Sequence, residues 1–433
     1  MIFDGYCVLV TVPVPQGYGS QRADLTRTGR TRNAFFPRRR REKSLFLRGS
    51  GMVPAPRYSG KMERSRSIIF KTVGREYDIL FLFMKDPMNY SAITGPIFEQ
   101  HDQEGHVESQ DRLLGIMKRL PGHVPRHDPV PAAPGDIERI HHPGYLKWLR
   151  QQCERNVEYD FIRDSVYIGG NFTHCPLHSG YIDENTYINP HSYEVATHAA
   201  GSAIAAAERA IRGESCFALV RPPGHHAAAA WAMGFCLINN VAIAAAKALK
   251  QVSRVAIIDW DVHHGNGTQD IFYNNGRVLY CSTHQEDAFP HSGHIEETGT
   301  GSGTGSTINA PLARRSTIAD YALVFQEVFL PAIARMDPDL IIISAGQDVL
   351  SDDPVGDMQL VPEDLGYLTG LVLDATGMPL ALVLEGGYGP SHGLAVRNIF
   401  DALDGTRFAC STRKPGKKTA GLVSGLRKIH DLP

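Results

Sequence analysis

Residues 256–270 read AIIDWDVHHGNGTQD, an apolar run that turns within a few positions into acids and histidines. Ala256, Ile257 and Ile258 open it as a buried strand. Alternate side chains of an extended chain share a side, so Asp259, Asp261 and His263 project together while Trp260, Val262 and His264 project the other way. Two carboxylates and an imidazole then follow one another at steps of about 6–7 Å. Like charges that close repel unless a cation or hydrogen-bond donors lie between them. A single Asp-x-His reads as a solvated or capped strand end. The density here, with Gly265 and Gly267 bending the chain just beyond, favours a metal site.

The chain around this stretch has 433 residues, 42% hydrophobic and 21% charged, with a formal net charge of −2. That is globular composition, long enough for one large core or for two domains. The near-neutral balance argues against a protein that wraps nucleic acid or lies on a membrane. Seven cysteines are scattered without a CxxC pair, the usage of reduced thiols in a cytoplasmic setting rather than of a disulfide frame. No apolar run approaches the roughly 18 residues that span a bilayer. The opening MIFDGYCVLVTVPVP has no basic leader before its apolar run, which makes it a poor secretory signal.

Residues 1–87 stand apart. From Arg22 onward they are rich in Arg, Ser, Gly and Pro without sustained periodicity, the composition of a basic, disordered extension. The run PRRRREK fits a solvated arm, and also a targeting or nucleic-acid-binding patch. Met84 and Met88 allow a third reading, in which the extension lies upstream of the true start. From about Tyr90 the pattern is regular, and residues 88–410 read as a catalytic domain. SYEVATHAAGSAIAAAERAIRG reads as an Ala-rich helix with Ser192 as N-cap and Gly213 at its end. Helices alternate with the short runs CFALV, VAIIDW, RVLYCST, LIIISAG and LALVL, the signature of a parallel α/β sheet. Residues 411–433 read as a basic, loosely attached tail.

Ligands of open α/β sheets bind beyond the carboxyl ends of the strands. Four strand ends here are chemically loaded: CFALV leads to His225 and His226, VAIIDW to Asp261 and His263, LIIISAG to Asp348, and LALVL to Tyr388. Each alone reads as structural; their shared position is the signal. Asp261, His263 and Asp348 supply three ligands and leave a position open, as catalytic zinc requires. A metal so held acidifies water and polarises a carbonyl. The paired histidines fit general-base and general-acid duties, and Tyr388 fits hydrogen bonding to an oxyanion. HCPLH at residues 174–178 reads as an ordinary loop. The Gly-rich TGTGSGTGST at residues 298–307 runs into INAPL rather than a helix, so it is a flexible loop and not a phosphate cradle.

RPPGHHA, GFCLINNVAIAA, IIDWDVHHGNGTQ, SAGQD with DDPVG, and LEGGYG together resemble the histone deacetylase superfamily. The likeness is to its class II and prokaryotic branch, with acetylpolyamine amidohydrolases and acetoin-utilisation proteins. It runs in order from about Ile93 to about Leu403, with Val107 where the family's opening His-Pro-Glu has proline. The resemblance implies an arginase/deacetylase-like three-layer α/β fold with a central, mainly parallel sheet flanked by helices. It assigns Asp261, His263 and Asp348 to Zn2+, with Fe2+ able to take the same ligands. His226 matches the general base and acid, His225 its electrostatic partner and Tyr388 the carbonyl-polarising tyrosine. Asp259 matches the carboxylate behind His225, and Asn266 stands where class I members carry an aspartate. Asp259 and Ser282 match contributors to a structural K+ site. Phe235 and Phe289 match the walls of an acyl-lysine tunnel, with Gly234 leaving room beside the stem, and Asp183 matches a contact to the substrate backbone.

The implied activity is hydrolysis of the amide of acetyl-lysine in a protein or peptide. The alternative substrate is an acetylated polyamine, against which Val355 counts, because eukaryotic polyamine-selective relatives carry glutamate in that turn. A non-catalytic acyl-reader of the same fold and an arginase-like two-metal hydrolase are the remaining readings. Asp352 and Asp353 are present for the latter but sit in the deacetylase turn. Nucleic acid enters only through the basic arm, a membrane not at all.

Overall fold

The computed structural model describes residues 89–154, 180–410 and 414–433, together with the backbone of strands Cys7–Val8, Ser67–Val73, Asp78–Met84, Ser165–Ile168 and Asn171–His174. The chain divides into two compact units, Met1–Asp86 and Pro87–Pro433. In the first, Asp78–Met84 pairs antiparallel with both Ser67–Val73 and Cys7–Val8. Over these strands, rich in β-branched and aromatic residues, the expectation of an arm without regular structure is corrected. For the rest of that unit, PRRRREK included, it lies outside the described residues, as does most of HCPLH.

The second unit is built on eight strands: β1 (Tyr90–Ile93), β2 (Arg126–His127), β3 (Ser215–Ala218), β4 (Val255–Asp259), β5 (Val278–Gln285), β6 (Thr307–Leu312), β7 (Leu340–Ala345) and β8 (Leu380–Leu384). Their order across the sheet is β6-β5-β4-β7-β8-β3-β1-β2, and every pairing is parallel. Strands buried on both faces need unbroken apolar side chains; Ile257, Ile258, Ile341, Ile342, Ile343, Leu382 and Val383 have no exposed surface. Helices flank the sheet, among them α1 (Asp111–Arg119), α2 (Pro143–Glu154), α3 (Ser192–Ile211), α4 (Asn240–Ala248), α5 (Asn266–Phe272), α6 (Pro362–Thr376), α7 (His392–Leu403) and α8 (Lys417–Ile429). The parallel α/β fold read from the sequence is the fold observed.

The strand order positions the site. After β4 the chain builds β5 and β6 on one side, then returns to lay β7 on the other. A crevice opens at such a reversal, outside the carboxyl ends of the two strands, and these are the ends that carry Asp261, His263 and Asp348.

Two details differ from the sequence reading. Ser192 is the first helical residue rather than the cap, His191 taking that place. Its hydroxyl instead accepts from the Asn189 N–H at 2.8 Å and meets His101 Nδ1 at 2.7 Å. The tail is not loose beyond Gly416. Thr419, Val423 and Leu426 form an i, i+4, i+7 stripe, and Val423 and Leu426 are buried in the main core. Asp320 accepts hydrogen bonds from Thr419 Oγ1 at 2.6 Å and from the Gly416 N–H at 2.7 Å. Mostly small residues between these positions, with Lys417, Lys418, Arg427 and Lys428 at either end, conceal the stripe in the sequence. Leu426→Ala is expected to lower stability by about 2–5 kcal/mol, read as an earlier urea midpoint; an unchanged midpoint would mean that α8 contributes nothing to the core.

Candidate metal centre and active site

β4 ends at Asp259, and the alternation holds one turn further. Asp259 accepts from Tyr280 Oη at 3.0 Å and from the Asp261 N–H at 3.2 Å, and it meets His225 Nδ1 at 3.1 Å. Asp261, His263 and Asp348 bring their ligand atoms within 4.8 Å of one another. His263 Nδ1 lies 3.2 Å from Asp261 Oδ1 and 3.3 Å from Asp348 Oδ2. Asp348 Oδ1 accepts the Val262 N–H at 2.9 Å, while Asp348 Oδ2 is buried with no hydrogen-bond partner. A buried, unpartnered carboxylate oxygen facing a second carboxylate and an imidazole fits a divalent cation.

The chain makes room for this cluster with glycine. A Cβ on Gly386 would fall 2.2 Å from Asp348 Oδ2, and one on Gly346 would fall 2.1 Å from Asp261 Oδ2. A second group, His225, Cys236 and Glu385, is equally close. It lacks the orphan oxygen: Glu385 accepts two backbone N–H groups and a hydroxyl, and burial pushes the Cys236 thiol well up.

The paired histidines are driven in opposite directions. Burial works against charge on His225, but the Asp261 and Asp259 carboxylates beside it push its pKa up to about 10. Burial, with the charges of His225 and His263, holds His226 well below its ordinary value. Two titrating neighbours separated in this way are suited to acid/base chemistry. The rings lie 4.0 Å apart, and His226 Nδ1 meets Asn266 Oδ1, at the start of α5, at 2.8 Å.

A cavity of about 170 Å3 leads to them. Phe235, Phe289, Gly234, Tyr388, Asn185 and Val355 line it together with both histidines and the three candidate ligands. Phe289 stands edge-on to His226 at 5.1 Å, and Phe235 edge-on to Tyr388 at 5.7 Å. Gly234 has φ +56°, and a Cβ there would fall 2.5 Å from His226 Cδ2 and 2.9 Å from Phe289 Cε1. Phe235 itself is held at φ 69°, backbone strain of the kind that surrounding structure must fix.

Asp183 is not among the lining residues. Its carboxylate closes its own turn, accepting the N–H groups of Asn185 at 2.9 Å and Thr186 at 2.6 Å. The residue this turn delivers to the cavity is Asn185. Ser282 pairs in register with Asp259 on the neighbouring strand, and its Oγ meets His284 Nδ1 at 2.9 Å.

Several supporting residues escape the sequence reading. Arg112 lies 4.6 Å over the Tyr388 ring and donates to Gly387 O at 2.7 Å and to Glu108 Oε1 at 3.0 Å. Arg221 Nη2 meets Glu108 Oε2 at 2.7 Å. Asp353 accepts the Tyr388 N–H at 2.6 Å and the Gly389 N–H at 2.9 Å. Glu108 and Arg112 are four apart, which in a sequence reads as an exposed helical pair.

A cation cradle and a split histidine pair at the switch point of a parallel sheet define a metal-dependent hydrolase. Residues 106–402 match the family model for the histone deacetylase domain. The chain is 36% identical over 333 residues to a probable deacetylase of Methanothermobacter thermautotrophicus, covering 75% of this chain and 93% of that one. It is 37% identical over 324 residues to a histone deacetylase-like amidohydrolase of Pseudomonas aeruginosa, covering 70% and 78%. An acetylpolyamine amidohydrolase of Mycoplana ramosa is 41% identical over 286 residues, covering 62% and 83%. Among solved structures, that of the HDA15 HD domain superposes with a TM-score of 0.70 at 29% identity, covering 79% of this chain and 94% of that chain. The chain belongs to the histone deacetylase family and is a deacetylase or amidohydrolase. Among the described residues, no helix is long and apolar enough to cross a membrane.

Proposed function

We propose that this chain is a zinc-dependent deacylase hydrolysing the amide of acetyl-lysine in a protein or peptide. The observation that carries the reading is the slot in which Phe235 and Phe289 flank Gly234 above the Asp261–His263–Asp348 cluster. A lysine stem suits two aromatic walls, which leave its amide at the polar end.

Asp261, His263 and Asp348 hold the ion, and ferrous iron suits the same donors. When bound, the ion supplies Lewis acidity to the amide carbonyl and to water. His226 takes the proton from the attacking water and returns it to the leaving amine as the C–N bond breaks. His225 stands beside it as a fixed positive charge, oriented by Asp259. The Tyr388 hydroxyl donates to the oxyanion as it develops. Asp259 and Ser282, neighbours across two strands, contribute to a structural K+ site, and Asp183 contacts the substrate backbone.

The second reading, an acetylpolyamine substrate, draws on the Mycoplana ramosa relative. Against it, Val355 at the slot puts no carboxylate where a second amine would arrive. Amine release from an acetyl-lysine peptide, with acetylputrescine run in parallel, separates the two. Faster turnover on the peptide, abolished by a chelator and restored by zinc, is expected. Turnover on acetylputrescine alone would transfer the enzyme to the polyamine class. Zinc-loaded, folded protein inactive on both would leave an acyl-reader.

A further inference from the structure

Glu385 follows directly on β8 and has no exposed surface. A carboxylate so placed is expensive unless its oxygens are satisfied. One oxygen of Glu385 accepts two consecutive backbone N–H groups, from Gly224 at 2.7 Å and His225 at 3.1 Å. The other accepts from Ser344 Oγ, on β7, at 3.2 Å. The two N–H groups belong to the loop that carries the histidine pair, and without this oxygen they would be buried donors with no partner. Ser344 lies beside Asp259 in the register of β7 with β4, and Asp259 in turn holds His225 by its ring.

The next residue connects the same point to the cation cradle: the Gly386 N–H donates to Asp261 Oδ2 at 2.9 Å. Tyr388 follows two residues later. One side chain therefore joins the histidine loop to the strand end that carries both the cradle contact and the tyrosine. We propose that Glu385 is a positioning residue for hydrolysis, fixing the backbone of Gly224 and His225 so that the His226 ring meets the slot at the reacting distance. It touches neither substrate nor ion and acts through that backbone. Burial pushes its pKa up to about 7, and the geometry holds in either state, because a neutral carboxyl keeps an acceptor oxygen for the two N–H groups.

The inference rests on the amidohydrolase reading, and the test keeps the two apart. Wild type and the variants Glu385→Ala, Glu385→Gln and Glu385→Asp are compared for kcat, KM, zinc content and thermal midpoint, on whichever acylated amine the wild type hydrolyses. Misplacing a catalytic group by about 1 Å costs about 100-fold in rate. Glu385→Ala is expected to lose about that much in kcat per zinc-loaded molecule, with KM nearly unchanged. Glu385→Gln, which retains an acceptor at the same reach, recovers most of the loss. Glu385→Asp, one methylene short, does not. If the alanine variant fails to fold, the Asp and Gln pair carries the comparison. Wild-type kcat in a folded, zinc-loaded Glu385→Asp would overturn the inference, and so would equal losses in the Asp and Gln variants. A wild type inactive on every acylated amine would instead overturn the proposed function.

Discussion

His226→Ala yields a folded, zinc-loaded protein whose kcat falls by about 10²–10⁴-fold, the range of a lost general base, while KM changes little. The basis is the separation of the two histidines. Burial and the charge of His225 beside it keep the His226 ring neutral, so it has a lone pair to offer. Asn266 decides which nitrogen offers it. The Asn266 amide donates to Met233 Sδ at 3.4 Å and turns its oxygen to His226 Nδ1 at 2.8 Å. Nδ1 then carries the proton, and Nε2 is the free base. The ring contacts Phe289 edge-on and leaves the ion's ligands intact, so alanine removes the base without removing a ligand. Activity per bound zinc, measured beside circular dichroism, checks this. Near-normal turnover in the folded variant would remove His226 from the mechanism.

The part of the site legible in the sequence is the part written within one element. Asp259, Asp261 and His263 obey the period of two, and they converge as that period requires. His225 and His226 sit in the loop that follows β3, and Tyr388 in the loop that follows β8, so a strand-end rule finds them. Asp348 is 85 residues beyond His263. It meets the others only because the chain reverses direction between β4 and β7. No local pattern encodes that reversal; the strand-end rule brought Asp348 to the same crevice, and the family resemblance agreed with that grouping. Charged side chains that turn inward were the least legible. Arg221 and Glu108 have no exposed surface, yet composition assigns both types to the exterior. Asp183, matched to a substrate contact by the resemblance, also accepts hydrogen bonds within its own turn,. α8 was missed because its three buried positions are spaced mostly by small residues and bounded by Lys417, Lys418, Arg427 and Lys428, which read as a basic tail.

Glu108→Gln is the substitution expected to cost the most stability. Glu108 sits between two guanidinium groups that are themselves buried, Arg221 with no exposed surface and Arg112 at 4%. Burial opposes its charge, but Arg221 and then Arg112 hold its carboxyl down at about 2, against an ordinary value of 4.5. Tyr187 Oη also donates to it, at 3.1 Å. Glutamine keeps the shape and one acceptor but leaves two buried cations without their anion. Removing one partner of a buried ion pair costs about 3–5 kcal/mol, a large share of the roughly 5–15 kcal/mol that holds a domain together. The sign with pH follows from the depressed value. The carboxylate's contribution is complete above about pH 4.5 and is lost as the pH falls through about 2,. Urea titrations of wild type and variant should differ by a constant amount from about pH 5 to 7 and converge in stronger acid. Activity should fall as well, because the Arg112 that Glu108 anchors lies against the Tyr388 ring. Equal urea midpoints at neutral pH would show that glutamine satisfies both arginines, and that the charge of Glu108 is dispensable to the fold.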